Sequence, residues 1–244
     1  MTSNLKDTHL SNWTTDEKIS AVKSIFSSIT PNYDRMNHIL SARQDIRWRK
    51  FMVNRLPKDA EKVLDVATGT GDVAIDIKKR RPEVNVTGVD FVREMMNTAK
   101  VKTSGRKLKI DYVGSDAMCL PFKENTFDAA TIAFGLRNIP DRLGAIKEMA
   151  RVVKPGGKVL TLEMTFPKNL KMRSFFNWYL NNIIPGLGAI IARDPKAYRY
   201  LVDSIQDFIH PDVLTSIFND AGLKSVREFP LTLGITYLHE GIVM

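Results

Sequence analysis

Short apolar runs alternate with stretches of helical periodicity through the middle of the chain. The runs predict strands at residues 62–66, 84–90, 109–113, 127–134 and 158–163. Apolar positions at helical spacing predict helices at 72–80, 93–103 and 141–153, the last closed by a turn at 154–157. Strands that alternate with helices indicate an α/β fold, with a Rossmann-like, doubly wound and mostly parallel sheet.

The flanking regions show a different pattern. Helices are predicted at 17–29 and 33–56 before the sheet, and at 170–180, around 198–204 and at 211–221 after it. Two short runs, 226–229 and 235–239, predict a C-terminal antiparallel hairpin. We expect one domain over 1–244, made of an N-terminal helical cap (1–56), a cofactor-binding core (60–165), a helical insert or lid (168–210), and a closing helix and strands (211–244).

Composition limits the class of protein. The chain has 244 residues, of which 43% are hydrophobic, enough to bury a substantial core. A single cysteine, Cys119, excludes an internal disulfide and suits a reducing compartment, and we expect a buried structural thiol rather than a nucleophile. The N-terminus lacks a signal-peptide pattern, and the most apolar stretch, 174–192, is interrupted by asparagines and a Pro-Gly pair. We expect a cytoplasmic protein without a membrane span, and peripheral contact with the inner membrane surface is left open.

The net charge of +9 is compatible with an anionic partner, and equally with a basic soluble enzyme that has none. The Asp/Asn-Pro-Pro-aromatic segment of amino-methylating enzymes is absent. Cys119 lies outside the Pro-Cys setting of cytosine-methylating enzymes, and no basic stripe is interleaved with aromatic residues. A nucleic-acid methyltransferase or binding module is therefore the less favoured alternative, and we expect no nucleic-acid partner.

A glycine-rich loop joins the first predicted strand to the following helix. Asp65 lies near the end of the strand, and Gly69 and Gly71 follow, where the missing side chains let the backbone approach a ligand. Asp90 ends the next strand, where a carboxylate can accept hydrogen bonds from two ribose hydroxyls. The pattern predicts a nucleoside-containing cofactor and is shared with dinucleotide enzymes.

Two more carboxylates favour S-adenosylmethionine over a dinucleotide. Asp72 opens the helix at the place of a pyrophosphate, which its charge would repel. Asp116, after the third predicted strand, can accept a hydrogen bond from an adenine amino group. The positive amino-acid end and sulfonium of S-adenosylmethionine suit Asp65 and Asp72. A nicotinamide-dependent oxidoreductase is the alternative.

These residues resemble the class I methyltransferases, and other segments narrow the resemblance. The segments 32–37 (Asn-Tyr-Asp-Arg-Met-Asn), 134–138 (Phe-Gly-Leu-Arg-Asn), 198–201 (Tyr-Arg-Tyr-Leu) and 232–241 are similar to the menaquinone/ubiquinone-biosynthesis C-methyltransferases. The resemblance implies methyl transfer from S-adenosylmethionine to a ring carbon of a prenylated quinol, and cofactor contacts at Thr70, Asp90, Asp116 and Ala117. Some members that act on both quinone types have Ser where this chain has Ala133. That difference favours demethylmenaquinol over a polyprenyl-methoxybenzoquinol.

An aromatic carbon attacks a methyl sulfonium well only if the neighbouring phenol is ionised, which a nearby cation favours. Arg137 is the candidate cation, with Asn138 orienting the oxygen, since both follow the fourth predicted strand at the carboxyl edge. A surface ion pair of Arg137 with Asp141 is the alternative. Tyr33 either hydrogen-bonds the ring or only packs. No metal is expected.

Two segments have both a lipid-related and an ordinary interpretation. The aromatic stretch 175–187 lines a prenyl-chain tunnel or touches the bilayer, or else packs in the core. Residues 47–50 (Arg-Trp-Arg-Lys) rest on anionic lipid or, as we prefer, form a solvated helix face with one core tryptophan. His38 and His239 are candidate proton acceptors but are expected to be structural. A homodimer is left open.

Overall fold

The computed structural model describes residues 14–184 and 195–244, which form a seven-stranded sheet of order β3-β2-β1-β4-β5-β7-β6. The strands are β1 (Lys62–Val66), β2 (Asn85–Asp90), β3 (Asp111–Gly114), β4 (Phe127–Ala133), β5 (Val153–Met164), β6 (Lys224–Leu231) and β7 (Thr236–Ile242). β1 to β5 run parallel, and β7 pairs antiparallel with β5 and β6. The predicted Rossmann-like class with a C-terminal antiparallel hairpin is confirmed.

Helices pack on both faces of this sheet. They are α1 (Thr15–Ile29), α2 (Tyr33–Leu40), α3 (Gln44–Val53), α4 (Asp72–Arg80), α5 (Arg93–Ser104), α6 (Arg142–Val152), α7 (Leu170–Trp178), α8 (Pro195–Gln206) and α9 (Pro211–Asp220). A 3₁₀ turn, Leu136–Asn138, follows β4, and a π-helical turn, Tyr179–Ile183, continues α7. Across 14–184 and 195–244, no helix is long and apolar enough to cross a membrane.

Three apolar clusters hold the layers together. One joins Ile132 of β4 to Ile146 of α6 and Phe218 of α9 on one face. The second packs Met52 of α3 and Ile77 of α4 on the other face. A third cluster joins the cap helices α1 and α2 to the insert helices α7 and α8. Parallel strands that are apolar on both faces require this double cover, and the third cluster sets the cap against the insert.

The prediction of one continuous helix at 33–56 is wrong, because the chain turns at Ala42 and Arg43 and forms two helices, α2 and α3. Both residues have positive φ, 48° and 61°. The hydroxyl of Ser41 donates to Asp45 Oδ1 at 2.7 Å and accepts from Asp45 N at 3.3 Å. Such local side-chain bonds compete with a continuous helix. As a result α2 packs in the third cluster and α3 packs on the sheet.

Two other predictions need correction. Residues 154–157 are part of β5, which begins at Val153, rather than a closing loop. A Cβ at Gly157 would lie 2.6 Å from a backbone oxygen of β4, so this close approach of the strands requires glycine. Cys119 is exposed instead of buried, because a neighbouring leucine takes the buried position in the loop after β3.

Candidate active site

The glycine loop after β1 borders a cavity of about 790 Å³ at the carboxyl edge of the sheet, which we call the loop cavity. Parallel strands end at one edge, and this brings together side chains that are far apart in sequence. The predicted site residues that line the loop cavity are Tyr33, Gly69, Asp90, Asp116, Ala117 and Asn138. Ala133, the position of the Ser found in some family members, also lines it.

Asp90 is fixed in place by backbone hydrogen bonds. Its Oδ1 accepts from Val92 N and its Oδ2 accepts from Gly69 N, both at 2.8 Å. Burial raises the pKa of Asp90, although these hydrogen bonds to the carboxylate oppose the shift. Because each carboxylate oxygen has a further lone pair, Asp90 still offers two acceptors to the cavity, as a ribose diol requires.

The two glycines of the loop serve different purposes. Gly69 has φ of 56°, and the place of a Cβ is open. At Gly71, with φ of 82°, a Cβ would lie 2.6 Å from the Tyr112 hydroxyl on β3. Gly71 therefore lets the loop pack on β3, whereas Gly69 lines the cavity.

Thr70 and Asp65 were predicted to contact the cofactor, and neither lines the loop cavity. The Thr70 hydroxyl instead donates to Asp34 of α2. Asp65 is buried, and its carboxylate accepts from Thr68 at 2.6 Å and Thr131 at 2.9 Å. Burial raises the pKa of Asp65 to about 7, even though both hydroxyls lower it. Through these two hydrogen bonds the Asp65 carboxylate holds the glycine loop against β4.

Asp72 is paired with cations of the protein and does not line the loop cavity, and a role of its charge toward the ligand stays a prediction. Its Oδ1 lies 2.6 Å from Lys102 Nζ and its Oδ2 lies 3.1 Å from Arg49 Nη2. Burial alone would raise the pKa of Asp72, but the two cations have the larger effect, and the pKa lies below its ordinary value. Lys102 Nζ also lies 2.6 Å from Asp34 Oδ2. These residues, with Thr70, join the cap to the glycine loop, and we call them the cap latch.

Asp116 and Ala117 border the other end of the loop cavity. Asp116 is exposed, and its Oδ1 accepts from Met118 N at 2.8 Å. Its Oδ2 has no hydrogen-bond partner within 14–184 and 195–244, so an acceptor is available beside the apolar Ala117. This pairing of an acceptor with an apolar surface suits an adenine ring and its amino group.

A second cavity, of about 1060 Å³, lies between α2, α3 and the insert, and we call it the insert cavity. Apolar side chains dominate its lining, among them Leu40, Trp48, Met164, Phe176, Ile184, Leu201 and Ile205. Tyr33 and Phe134 line both cavities and form what we call the shared wall. The two cavities therefore adjoin at these two side chains.

The aromatic insert is partly core and partly surface. Phe176, Leu180 and Ile184 are buried, whereas Phe175 and Trp178 are 55% and 52% exposed. The packing interpretation of 175–187 therefore holds for the buried residues, and the lipid-related interpretation stays a prediction. Leu187, which was assigned to the same stretch, lies outside the described residues.

Arg137 lines the insert cavity, and its charge is already compensated. Its Nη1 lies 2.5 Å from Glu163 Oε1 and donates to Phe134 O at 2.7 Å. Burial would lower the pKa of Arg137, but the Glu163 carboxylate outweighs burial and raises it. The alternative pairing with Asp141 is wrong, because that carboxylate accepts from Gly144 N at 2.8 Å and caps α6. Glu163 was not predicted as a site residue, although a glutamate in an apolar strand is a recognisable signal.

Asn138 lines the loop cavity, and Tyr33 belongs to the shared wall. Asn138 Oδ1 accepts from Tyr200 Oη at 2.9 Å, so the 198–201 segment orients this amide. Tyr33 packs edge-to-face on Phe26 with ring centroids 5.9 Å apart. Burial raises the pKa of Tyr33. Its hydroxyl is therefore protonated near neutral pH and is suited to donate a hydrogen bond rather than to act as a base.

Helix α1, part of the predicted N-terminal helical cap, also borders the loop cavity. Ile19, Val22 and Phe26 line the cavity from one face of the helix. A capping box between Thr14 and Glu17 fixes where the helix begins. The apolar spacing predicts the helix, but periodicity does not identify the surface on which it packs.

His38 and His239 both contact groups of the protein itself. His38 Nδ1 lies 2.7 Å from Asp45 Oδ2, and the buried His239 lies 3.1 Å from the carbonyl oxygen of Pro211. In the 47–50 segment, Trp48 is a core residue, so the preferred interpretation is confirmed. Arg49 departs from the predicted solvated face, because it is buried in the cap latch.

The sequence matches the model of the ubiE/COQ5 methyltransferase family over residues 13–243. The chain belongs to this family. A demethylmenaquinone methyltransferase of Thermus thermophilus is 40% identical over 218 residues, covering 89% of this chain and 99% of the relative. A ubiquinone/menaquinone biosynthesis C-methyltransferase of Citrifermentans bemidjiense is 38% identical over 229 residues, covering 92% and 97%.

Solved structures show the same fold at low identity. A SAM-dependent methyltransferase from Thermotoga maritima has a TM-score of 0.63 at 17% identity, covering 91% of this chain and 99% of that one. A phosphoethanolamine N-methyltransferase of Haemonchus contortus, solved with S-adenosyl-L-methionine, has a TM-score of 0.61 at 16% identity, covering 82% and 52%. The predicted enzyme class, a methyltransferase that uses S-adenosylmethionine, is confirmed.

Proposed function

We propose that this chain transfers the methyl group of S-adenosylmethionine to a ring carbon of demethylmenaquinol and so forms menaquinol. The observation that carries the proposal is the shared wall, where Tyr33 and Phe134 border both the loop cavity, with its carboxylate acceptors, and an apolar cavity. Relatives named as demethylmenaquinone methyltransferases, at 40% and 39% identity, support the substrate.

The donor belongs in the loop cavity, where the residues present fit its parts. Asp90 has acceptors for a ribose diol, and Asp116 has one for the adenine amino group. Ala117 gives the ring an apolar contact. S-Adenosylmethionine, when bound, supplies an electrophilic methyl group on a positively charged sulfur. Cap residues Val22 and Phe26 exclude water from that side.

The quinol belongs in the insert cavity, with its prenyl chain among the apolar side chains and its head group at the shared wall. Arg137 Nε is buried there and has no hydrogen-bond partner among residues 14–184 and 195–244. We assign this group to the quinol oxygen. Because Glu163 already balances the charge of Arg137, the guanidinium acts as an oriented donor that favours the phenolate. Tyr33 adds a second donor at the shared wall, and Asn138 approaches the head group from the adjoining loop cavity.

The bond changes balance without a metal or redox partner. The ring carbon forms a bond to the methyl carbon as the carbon–sulfur bond breaks, and a neutral thioether leaves. The ring then loses the proton from the methylated carbon to solvent, and the phenolate oxygen is reprotonated. The protein's part is to align the two ligands and to favour the phenolate.

The deciding experiment offers both candidate quinols to the purified enzyme. Reduced demethylmenaquinol and a reduced polyprenyl-methoxybenzoquinol are incubated separately with methyl-labelled S-adenosylmethionine, and products are identified by mass spectrometry. We expect label in menaquinol at a much higher kcat/KM, in keeping with Ala133 beside the donor. Exclusive labelling of the benzoquinol would contradict the proposed substrate, and binding of NAD without S-adenosylhomocysteine would contradict the proposed activity.

The predicted cytoplasmic location and the homodimer stay predictions. A purified full-length chain analysed by sedimentation velocity would decide the second of these.

A further inference from the structure

We propose that the mouth of the insert cavity is a membrane-docking surface for anionic lipid, formed by α7 and the α2–α3 turn. This inference rests on the proposed function, because a prenylated substrate is delivered from a bilayer. We call the residues that would touch the lipid the docking rim. They are Ile39, Arg43, Lys171, Phe175 and Trp178.

The first observation is an exposed aromatic pair on α7. Phe175 and Trp178 are about half exposed, and their rings lie 6.1 Å apart in a tilted arrangement. Lys171, Phe175 and Trp178 follow one another at i, i+4 and i+7, so they share one side of the helix. The opposite side is also apolar, with Phe176 and Leu180 buried. A helix face exposed only to water would carry polar residues at the positions of Phe175 and Trp178.

The second observation is the position of this pair at the cavity mouth. Phe175 lines the insert cavity while remaining exposed, as does Ala42 in the α2–α3 turn. Tyr179 Oη donates to Leu40 O at 2.7 Å and so holds the end of the insert helix against the end of α2. The exposed aromatic surface is therefore continuous with the lining that would take the prenyl chain.

The third observation is positive charge beside the aromatic pair. Lys171 is exposed one turn before Phe175, and Arg35 and Arg43 are exposed on the α2–α3 side with Ile39, which is 38% exposed. None of these three basic groups forms an ion pair within the described ranges 14–184 and 195–244.

Unpaired cations around exposed aromatic rings complement an anionic lipid surface. The continuity of this surface with the apolar insert cavity favours lipid over an acidic protein partner. The net charge of +9 has the same sign.

The test measures binding of the full chain to vesicles without quinol or methyl donor, so its result is independent of catalysis. Vesicles of phosphatidylcholine with phosphatidylglycerol are compared with phosphatidylcholine alone by co-sedimentation. We expect Lys171→Glu to lower the partition coefficient on anionic vesicles about tenfold or more, since each basic group near the surface is worth about a factor of five. The matched control is Lys79→Glu, which makes the same charge change at the exposed far end of α4.

The apolar contribution is tested at Trp178, which does not line the insert cavity. Trp178→Ser should lower binding to both kinds of vesicle about fivefold or more. Val101→Ser, at a valine that is 74% exposed on α5, should leave binding unchanged. Brominated lipids should quench the tryptophan fluorescence of the wild type, and Trp178→Phe should lose most of that quenching. Circular dichroism and thermal melts check that every variant folds.

Three results would overturn the inference. One is equal vesicle binding by Lys171→Glu and Lys79→Glu. Another is unchanged quenching in Trp178→Phe. The third is a wild-type dimer that Trp178→Ser converts to a monomer, which would assign the rim to a second copy of the chain. A variant that loses vesicle binding but still methylates a dispersed short-chain quinol would show that the docking rim acts separately from catalysis. Intact vesicle binding without methylation of any quinol would contradict the proposed function alone.

Discussion

Arg137 and Glu163 form a buried ion pair beneath the shared wall, with Nη1 and Oε1 2.5 Å apart. A guanidinium held by this ion pair through Nη1 keeps its position when the cavity is empty. Removal of one partner from a buried pair leaves an uncompensated charge, which lowers the unfolding free energy independently of any effect on catalysis.

We expect Arg137→Ala to lower kcat/KM by about 10²–10³, as for the loss of one donor that stabilises a developing anion. The same variant should lose about 3–5 kcal/mol of unfolding free energy, because Glu163 becomes a buried unpaired carboxylate. Urea unfolding and steady-state kinetics measure the two effects. Arg137→Lys should recover more of the stability than of the activity, since a lysine restores the charge but not the fork of donors. Full activity in Arg137→Ala would disprove the assignment.

The cap latch gives a second prediction. Lys102 Nζ contacts Asp34 Oδ2 and Asp72 Oδ1 at 2.6 Å each, so Lys102→Met leaves two carboxylates facing each other. We expect a loss of about 1.5–3 kcal/mol in stability, as for hydrogen bonds to charged groups, and faster amide exchange in α1 and α2. Lys100→Met, at an exposed position on the same helix, is the control. An exchange pattern identical to the wild type would show that the latch does not hold the cap.

Tyr33 supplies a prediction that separates binding from chemistry. Its hydroxyl stays protonated near neutral pH because burial raises its pKa, so Tyr33→Phe removes a donor and keeps the packing on Phe26. We expect kcat to fall about tenfold to a hundredfold, as for loss of a hydrogen bond to a charged group. Affinity for S-adenosylhomocysteine, measured by calorimetry, should not change. A purely packing role would instead leave kcat unaltered.

The raised pKa of Asp65 predicts that the unfolding free energy depends on pH. Burial raises its pKa to about 7 in the folded protein, whereas the carboxyl has its ordinary value of 3.8 when unfolded. Between these values the folded state holds a proton that the unfolded state has released, so stability falls as pH rises through that window. Relative to Asp65→Asn, the wild type should lose roughly 3–4 kcal/mol from pH 4 to pH 7. Parallel pH curves for the two proteins would contradict this pKa. Asp220→Asn, at an exposed position, is the control and should follow the wild type.

The sequence predicts most of the strands and helices here because each depends on a local apolar pattern. The helix at Asp72–Arg80 and the strand at Lys62–Val66 have the predicted bounds. The turn at Ala42 and Arg43 could not be predicted in this way, since it depends on the side chain of Ser41 competing with the helix.

The site was predicted less evenly. Asp90 and Asp116 line the loop cavity because strand ends in a parallel sheet meet at one edge. The partners of Asp72 and Arg137 were not predicted, because Lys102 and Glu163 are distant in sequence and carry no motif. Charge compensation depends on the three-dimensional neighbours of a group, and these neighbours alter the role that its residue type suggests.

The two side chains of the shared wall make the two ligand affinities interdependent. A ligand that moves or fixes Tyr33 or Phe134 from one cavity changes the surface that the other ligand meets. By thermodynamic linkage, the factor by which S-adenosylhomocysteine changes the quinol dissociation constant equals the factor by which the quinol changes that of S-adenosylhomocysteine. Product release is therefore a property of the pair of ligands, and neither dissociation constant measured alone describes the enzyme during turnover.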